Sequence, residues 1–362
     1  MVRETWVPAV AVRPAVGETG RAFMVRATAS NGWPSQKAFR RRIGALKSER
    51  KLDPALMARA FGCDSSEFGH FADEWVFSHV VSFAGHHFRT DEIDGKRRRI
   101  CPTCCAGLQS ARFEWELPQI TQCPDHGPLT GSCACGNPLT WSDRHMWVCN
   151  DCPAPIWELP PAPMAGPSDL PFERYFLGRL GRSVPVPCPI LDALPLPMAA
   201  DVAEAIGGVL EIGYALSLPD VIDDERARRR ERGYRSLAAG DVGRAFSPAV
   251  DEFRARTGNI SPKQPIASLG FIAGIPALHA RGGEKLNDLL CAGLGRVLGY
   301  PVHDLWRTDY LDGEWCAGDL GISMAQLIAK LRDGGWMSKC PTDADRLFVP
   351  VDVVWLLRRA AG

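Results

Sequence analysis

The sequence predicts a mainly α fold carrying small zinc-stabilised modules, with an α-helical C-terminal domain that includes a helix-turn-helix candidate. Three observations lead there. Apolar residues recur at helical spacing in the first hundred residues and again beyond residue 198. Eight of the thirteen cysteines fall between Cys101 and Cys152. Residues 153–197 hold twelve of the twenty-nine prolines, a density that suits an irregular or extended connector. The expected organisation is a mixed, mostly helical region over 1–100, a tandem zinc-finger module over 101–152, a Pro-rich connector over 153–197 and an α-helical domain over 198–362.

A chain of 362 residues has room for this, at roughly 100–200 residues per domain. Forty-two Lys and Arg balance forty-two Asp and Glu. A net charge of zero excludes a surface that grips nucleic acid throughout by neutralising phosphates, and leaves only local patches. Apolar stretches stop well short of the ~18–20 residues that span a bilayer. Met1–Val16, interrupted by Pro8, Arg13 and Pro14, lacks the apolar core of a signal peptide. A cytoplasmic location with no membrane partner is expected. Clustered cysteines in a reducing compartment point to metal rather than disulfides.

Within the N-terminal region, Ser35–Leu46 is basic and helix-compatible, and Asp53-Pro54 opens a helix running to Gly62 with Leu56, Met57 and Phe61 at helical spacing. Phe83–Ile100 reads as two extended segments around Asp94-Gly95, a tight-turn dipeptide. Met198–Leu218, Asp223–Arg232, Pro248–Thr257 and Lys285–Leu298 read as helices. The last carries Leu286, Leu289, Leu290, Leu294 and Val297 on one side.

Two metal-ligand sets can be written. Cys101-x2-Cys104 and Cys123-x2-His126 form the first; Cys133-x-Cys135 and Cys149-x2-Cys152 form the second. A Cys-x2-Cys pair on a tight turn lets both sulfurs reach one ion at about 2.3 Å, and two such knuckles close a tetrahedron. Soft thiolates with one imidazole favour zinc, so two zinc ions are expected. Each set is complete at four ligands, which marks structural rather than catalytic zinc. His145 is an alternative ligand for the second set, whose first knuckle is one residue short, and Cys105 is spare. Trp115, Trp141 and Trp147 are expected to form the module's small core; a base-stacking platform is the rival reading.

Around these ligands the segments Arg99-Ile-Cys-Pro-Thr-Cys-Cys105, Trp115-Glu-Leu-Pro118, Cys123-Pro-Asp-His-Gly-Pro-Leu129, Cys133-Ala-Cys-Gly-Asn-Pro-Leu139 and Cys149-Asn-Asp-Cys152 resemble the TniQ family. The resemblance centres on residues 97–152, with a weaker echo at Arg232-Gly-Tyr-Arg-Ser-Leu237. It implies a target-selection protein of bacterial transposons. Such an adaptor links a DNA target, or a target-recognising complex such as a CRISPR effector, to an AAA+ ATPase regulator of the TniB or TnsC type. A homodimer is compatible with this reading. The residues agree with a non-enzymatic role: the chain has no GxxxxGK[ST] phosphate loop, and no catalytic triad order or paired-carboxylate motif stands out.

Three further features carry chemistry. His79, His86, His87, Asp91, Glu92 and Asp94 could ligate a hydrolytic ion, the more ordinary reading being an exposed strand and loop. Glu314–Trp336 has the pattern of a helix-turn-helix. Ala317 and Leu320 lie on its first helix, Gly321-Ile322 make the turn, and Ser323 caps a second helix that would offer Gln326, Lys330 and Arg332 to a major groove. Trp336–Lys339 and Arg346–Val349 are candidates for a wing. The charge runs Arg40–Arg42 and Arg226–Arg232 are either solvated helix faces or phosphate contacts, and Arg228, Arg229 and Arg230 head that second reading. A zinc-binding helix-turn-helix transcriptional regulator is the alternative function.

Overall fold

The computed structural model describes residues 8–44, 53–69, 75–77, 80–90, 92–94, 96–108, 110–141, 148–149, 151–152, 155–159, 170–213, 223–243, 247–248, 250–252, 255, 284–298, 310–337, 340, 342–343, 346–350, 353 and 357. The fold is mainly α, with short strands and two cysteine-rich clusters. The chain divides into two compact units, residues 1–186 and 187–362, a division that falls within the Pro-rich stretch 153–197. No cysteine is in a disulfide. Among the described residues no helix is long and apolar enough to cross a membrane.

In the first unit, helix α1 (Gly20–Ser30) starts where the Thr19 hydroxyl accepts from the Ala22 N–H. Helix α2 (Gln36–Arg42) is capped in the same way by Ser35. Helix α3 (Pro54–Phe61) has Asp53 as its cap and stops at Gly62, whose φ of 67° puts it in the left-handed region. One face of these helices buries Phe23, Met24, Phe39, Met57, Phe61 and, from the following turn, Phe68. Each such side chain contributes roughly 1.5–3 kcal/mol on burial.

Strands β1 (Trp75–Phe77), β2 (Val80–Phe83) and β3 (His86–Arg89) form an antiparallel sheet in chain order. The tight hairpin of this sheet turns at Ala84-Gly85, with φ of 50° and 78°, inside the segment read as extended from Phe83. Alanine carries no turn signal, whereas Asp94 bends the chain into the cysteine region, its Oδ1 accepting from the N–H groups of Lys96 and Arg97. Gly95 lies outside the described residues.

The cysteine region contributes helix α4 (Pro102–Leu108) and the small hairpin β4 (Gln122–Cys123)–β5 (Gly127–Pro128). Beyond it, helix α5 (Pro171–Arg179) begins with Pro171 in its first turn, where a missing N–H costs nothing. Val184 and Pro185 then cross Gly178 so closely that a Cβ there would lie 3.0 Å from both.

In the second unit, α6 (Leu196–Ile212) and α7 (Asp223–Ala238) pack through glycine. A Cβ on Gly207 would stand 1.8 Å from the Arg229 carbonyl oxygen, and one on Gly233 equally close to that of Ala203. The described residues of 247–255 are helical, and α8 spans Glu284–Leu298 with Leu286 and Leu290 buried; residues 214–220 and the side chains of Leu294 and Val297 lie outside the description. Finally β6 (Tyr310–Asp312), α9 (Gly313–Asp319), α10 (Met324–Asp333), β7 (Thr342–Asp343) and β8 (Arg346–Pro350) follow in sequence, the strands forming an antiparallel sheet of order β6-β8-β7. Arg346–Pro350 therefore pairs with Thr342–Asp343, and of the wing candidate Trp336–Lys339 the described residues Trp336 and Met337 lie in no strand. Trp336 closes the end of α10 instead, its N–H donating to the Leu331 carbonyl at 2.8 Å, while residues 338–339 lie outside the description.

Candidate metal centres

Residues 97–100 run as an extended segment that ties the cysteine loops together. Ile100 exchanges both backbone hydrogen bonds with Thr130, at 2.9 and 2.8 Å, and the Arg98 N–H donates to the Leu139 carbonyl. The basic run Lys96–Arg99 is thus first a piece of backbone ladder. Arg98 is fully buried, and Arg99 donates from Nη1 to the Ile120 carbonyl at 2.7 Å, fixing the loop that leads to Cys123.

At the first centre, Cys101 precedes α4 and Cys104 lies in its first turn, where the Cys104 N–H donates to the Cys101 sulfur at 3.4 Å. Cys123 ends β4 and His126 closes the turn after it, with its Nδ1 turned inward. Nδ1 stands 3.5, 3.1 and 3.7 Å from the sulfurs of Cys101, Cys104 and Cys123, and the sulfurs of Cys104 and Cys123 are 3.6 Å apart. Ligand bonds of about 2.3 Å to sulfur and 2.0 Å to nitrogen place tetrahedral donors about 3.5–3.8 Å apart, so this spacing matches four ligands around one ion.

The second centre gathers Cys133, Cys135, Cys149 and Cys152, with 3.8 Å between the sulfurs of Cys133 and Cys152 and 3.6 Å between those of Cys135 and Cys149. The short Cys133-x-Cys135 knuckle closes because Gly136, at φ 87°, curls the chain back: its N–H donates to the Cys133 carbonyl, and the Cys133 N–H donates to that of Asn137. Asn137 Nδ2 reaches Asp151 at 3.2 Å and links the two knuckles. In each centre the four ligand atoms lie within 4.8 Å of one another, so both could hold a metal ion. Their exposure differs. Cys101, Cys104 and Cys123 are buried and His126 is half-buried, whereas Cys135 is exposed and Cys152 half-buried. His145 lies outside the described residues.

Crowded thiols resist ionising together. Burial, with Cys123 beside it, pushes Cys104 up to about 11; Cys123 is raised by donating to Cys101, which is lowered by accepting that bond. Burial holds Cys149 at about 12 and the spare Cys105 at about 12. A divalent cation among such sulfurs releases their protons, and three thiolates with an imidazole, or four thiolates, suit a soft tetrahedral ion.

The ligand sulfurs other than that of the exposed Cys135 share one core with Trp115, Trp141, Leu139, Ile156 and, from α1, Ala22 and Val25. Trp115 is 1% and Trp141 7% exposed, so neither offers a ring face for stacking bases; Trp147 lies outside the described residues. Buried carboxylates brace this core. Glu116 Oε1 accepts from the Thr19 hydroxyl at 2.7 Å, and Glu114 faces Arg182 at 3.4 Å; burial raises the pKa of both.

One supporting residue carried no sequence signal. Glu173, buried on α5 within the stretch read as a connector, accepts from the N–H groups of Thr121 and Gln122 at 3.0 and 3.2 Å and from the Thr121 hydroxyl. Those are the two residues immediately before Cys123.

The other candidates fall elsewhere. His86 Nε2 meets the Arg179 carbonyl at 2.9 Å, Glu92 accepts from the Arg89 N–H at 2.7 Å and Asp94 is held in its turn. His87 is exposed, and among the described residues no metal-ligand set forms there; His79 and Asp91 lie outside the description. Arg229 and Arg230 turn inward, to Glu211 at 3.1 Å and Glu204 at 3.0 Å, each with a 3%-exposed side chain, so of the three arginines only Arg228 presents its guanidinium to solvent. Gln326, Lys330 and Arg332 are exposed on α10; Gln326 Oε1 accepts from the Ser323 N–H at 2.8 Å as half of a capping box.

A search among curated proteins finds no match to this chain. A family model, TniQ, matches residues 9–129, which takes in α1 to α3, the three-stranded sheet and all four ligands of the first centre. TniQ is a non-catalytic adaptor family associated with transposition target selection. Over residues 9–129 the chain is thus similar to the TniQ family.

Proposed function

We propose that this chain is a transposition target-selection adaptor, acting in the cytoplasm, that links a DNA target or a target-finding complex to an AAA+ regulator of the TniB or TnsC type. The observation that carries this reading is that the TniQ match runs through the first metal centre, whose ligands pack in one core with α1. Family segment and metal centre are one body. A CRISPR effector is one form the target-finding complex could take, and a homodimer would present two such bodies to the ATPase.

In this reading both centres hold zinc. Cys101, Cys104, Cys123 and His126 bind one ion, and Cys133, Cys135, Cys149 and Cys152 the other. Four protein ligands per ion leave no position for water or substrate, so the metal supplies folding energy rather than chemistry. The thiolates and imidazole orient the loops between them, and those loops form the docking face. No catalytic residue is assigned. On the DNA side, Arg228, Gln326, Lys330 and Arg332 remain the available contacts, because Arg229 and Arg230 are engaged by Glu211 and Glu204.

The test is capture of the AAA+ regulator encoded beside the chain's own transposase, using full-length protein with and without Cys101→Ser. The intact protein should retain the ATPase and the variant should lose it. A protein that ignores the ATPase yet binds one specific duplex at nanomolar strength would instead be the zinc-binding transcriptional regulator.

A further inference from the structure

We propose that β6, α9, α10 and the β7–β8 hairpin form a winged-helix unit that docks on duplex DNA, with α10 in the major groove. This names the DNA-contacting element of the adaptor and rests on that reading. The chain order is strand, helix, helix, strand, strand, and the last strand sits between the other two. The two helices therefore lie between an edge strand, β6, and a terminal hairpin that projects as a wing.

The core fixes which face of α10 is free. Cys316 and Ala317 of α9, Leu327 and Leu331 of α10, and Leu347 and Val349 of β8 are buried together. Gly313 opens α9 so close to β8 that a Cβ there would stand 2.9 Å from the Leu347 carbonyl oxygen. Gly321, at φ 66°, turns the chain, and Ser323 with Gln326 caps α10 at the turn. What remains outward on α10 is Ala325, Gln326, Ala329, Lys330, Arg332 and, in its last turn, the acidic Asp333.

That face has the chemistry of a groove contact. The two alanines let the backbone approach base edges. Lys330 and Arg332 have no ion-pair partner among the described residues. Gln326 has its carbonyl oxygen held by the cap, so its Nε2 is left to donate. A helix about 10–12 Å across fits the ~12 Å major groove. Residues 310–350 carry four Lys and Arg against six Asp and Glu, and Asp333 is one of the six, so the attraction on this face comes from Lys330 and Arg332 alone. Unassisted binding should be micromolar, a strength at which a second contact through a partner raises occupancy.

The experiment titrates the full-length, metal-loaded chain into a fluorescein-labelled, mixed-sequence duplex of about three helical turns and reads anisotropy at several salt concentrations. Each phosphate contact contributes about 0.9 to the log–log salt slope, so Lys330→Gln with Arg332→Gln should lower the slope by about 1.8. Between 50 and 200 mM salt the wild type should then lose about twelvefold more affinity than the double variant. Ala329→Glu, on an exposed helical position, should weaken binding at least tenfold with unchanged circular dichroism and metal content. Arg59→Gln, an exposed arginine on α3, should change nothing.

An unchanged slope in the double variant, or full binding by Ala329→Glu, overturns the proposal. So does a photo-crosslinker placed at residue 329 that reacts with a protein or RNA partner and not with the duplex. ATPase capture involves no DNA: its loss with an intact slope difference defeats the adaptor reading alone, and the converse defeats this one alone.

Discussion

Replacing Glu173 should loosen the first metal centre without touching a ligand. Its carboxylate, 5% exposed, accepts from two backbone amides and one hydroxyl on the residues that lead into Cys123. Glu173→Ala leaves those amides buried and unpaired, each costing about 1–3 kcal/mol, so about 2–4 kcal/mol of local stability should go once water partly replaces the carboxylate. Part of that passes to the metal, because the strand no longer holds the Cys123 sulfur against Cys104 and His126. Partners of this kind typically shift metal affinity 10–100-fold. Glu173→Gln, which keeps one acceptor but adds an N–H facing the donors, should fall between the alanine variant and wild type. The assay is competition of zinc-loaded protein against a chromogenic chelator. One equivalent should leave 10–100-fold more readily, while the equivalent held by Cys133, Cys135, Cys149 and Cys152 serves as the internal reference. Release of both equivalents at wild-type affinity, with the fold intact, would refute the argument that α5 positions the centre.

Three other outcomes are expected. Metal analysis should give two zinc equivalents per chain, falling to one in Cys135→Ser and in Cys101→Ser; a single equivalent in the wild type would remove the second centre. Gly207→Ala should destabilise the second unit by about 3 kcal/mol or more, beyond the usual overpacking cost, because its Cβ would lie 1.8 Å from the Arg229 carbonyl oxygen and the helices would have to part by over an ångström; a melting temperature equal to wild type would contradict that packing. Glu116 gives a pH signature. Burial raises its folded-state pKa above the unfolded value, so the folded protein holds the extra proton and stability falls as pH rises through the interval between the two. Glu116→Gln should therefore gain on wild type as pH climbs through that interval and then level off. Urea unfolding at matched pH values would show a constant difference if the carboxyl were not strained by burial.

Much was legible locally. Thr19, Ser35, Asp53 and Ser323 accept from the first turns of their helices, and of these the Asp53 and Ser323 caps could be read from the residues themselves. Caps and knuckles are short-range: a hydroxyl, a proline or a pair of cysteines acts on neighbours within four residues, so spacing alone defines them. The Ala84-Gly85 turn was not legible, because the strands of the sheet impose the left-handed backbone on an alanine that has no preference for it. Nor could the sequence divide the run Arg228–Arg230 into one exposed and two buried side chains. That division depends on α6 passing within contact of α7 at Gly207 and Gly233 and bringing Glu204 and Glu211 across to the two arginines.

The sequence by itself determined the two candidate ligand sets, the family resemblance and the α class, because each rests on residues close in the chain or on periodicity along one helix. Only the tertiary structure decided that α1 shares the core of the cysteine module and that Glu173, fifty residues after Cys123, braces it. It also placed Arg346–Pro350 between two strands that the chain order alone left unpaired. Contacts across such separations depend on which surfaces meet once the apolar faces are buried, and nothing in the local residue pattern records that pairing.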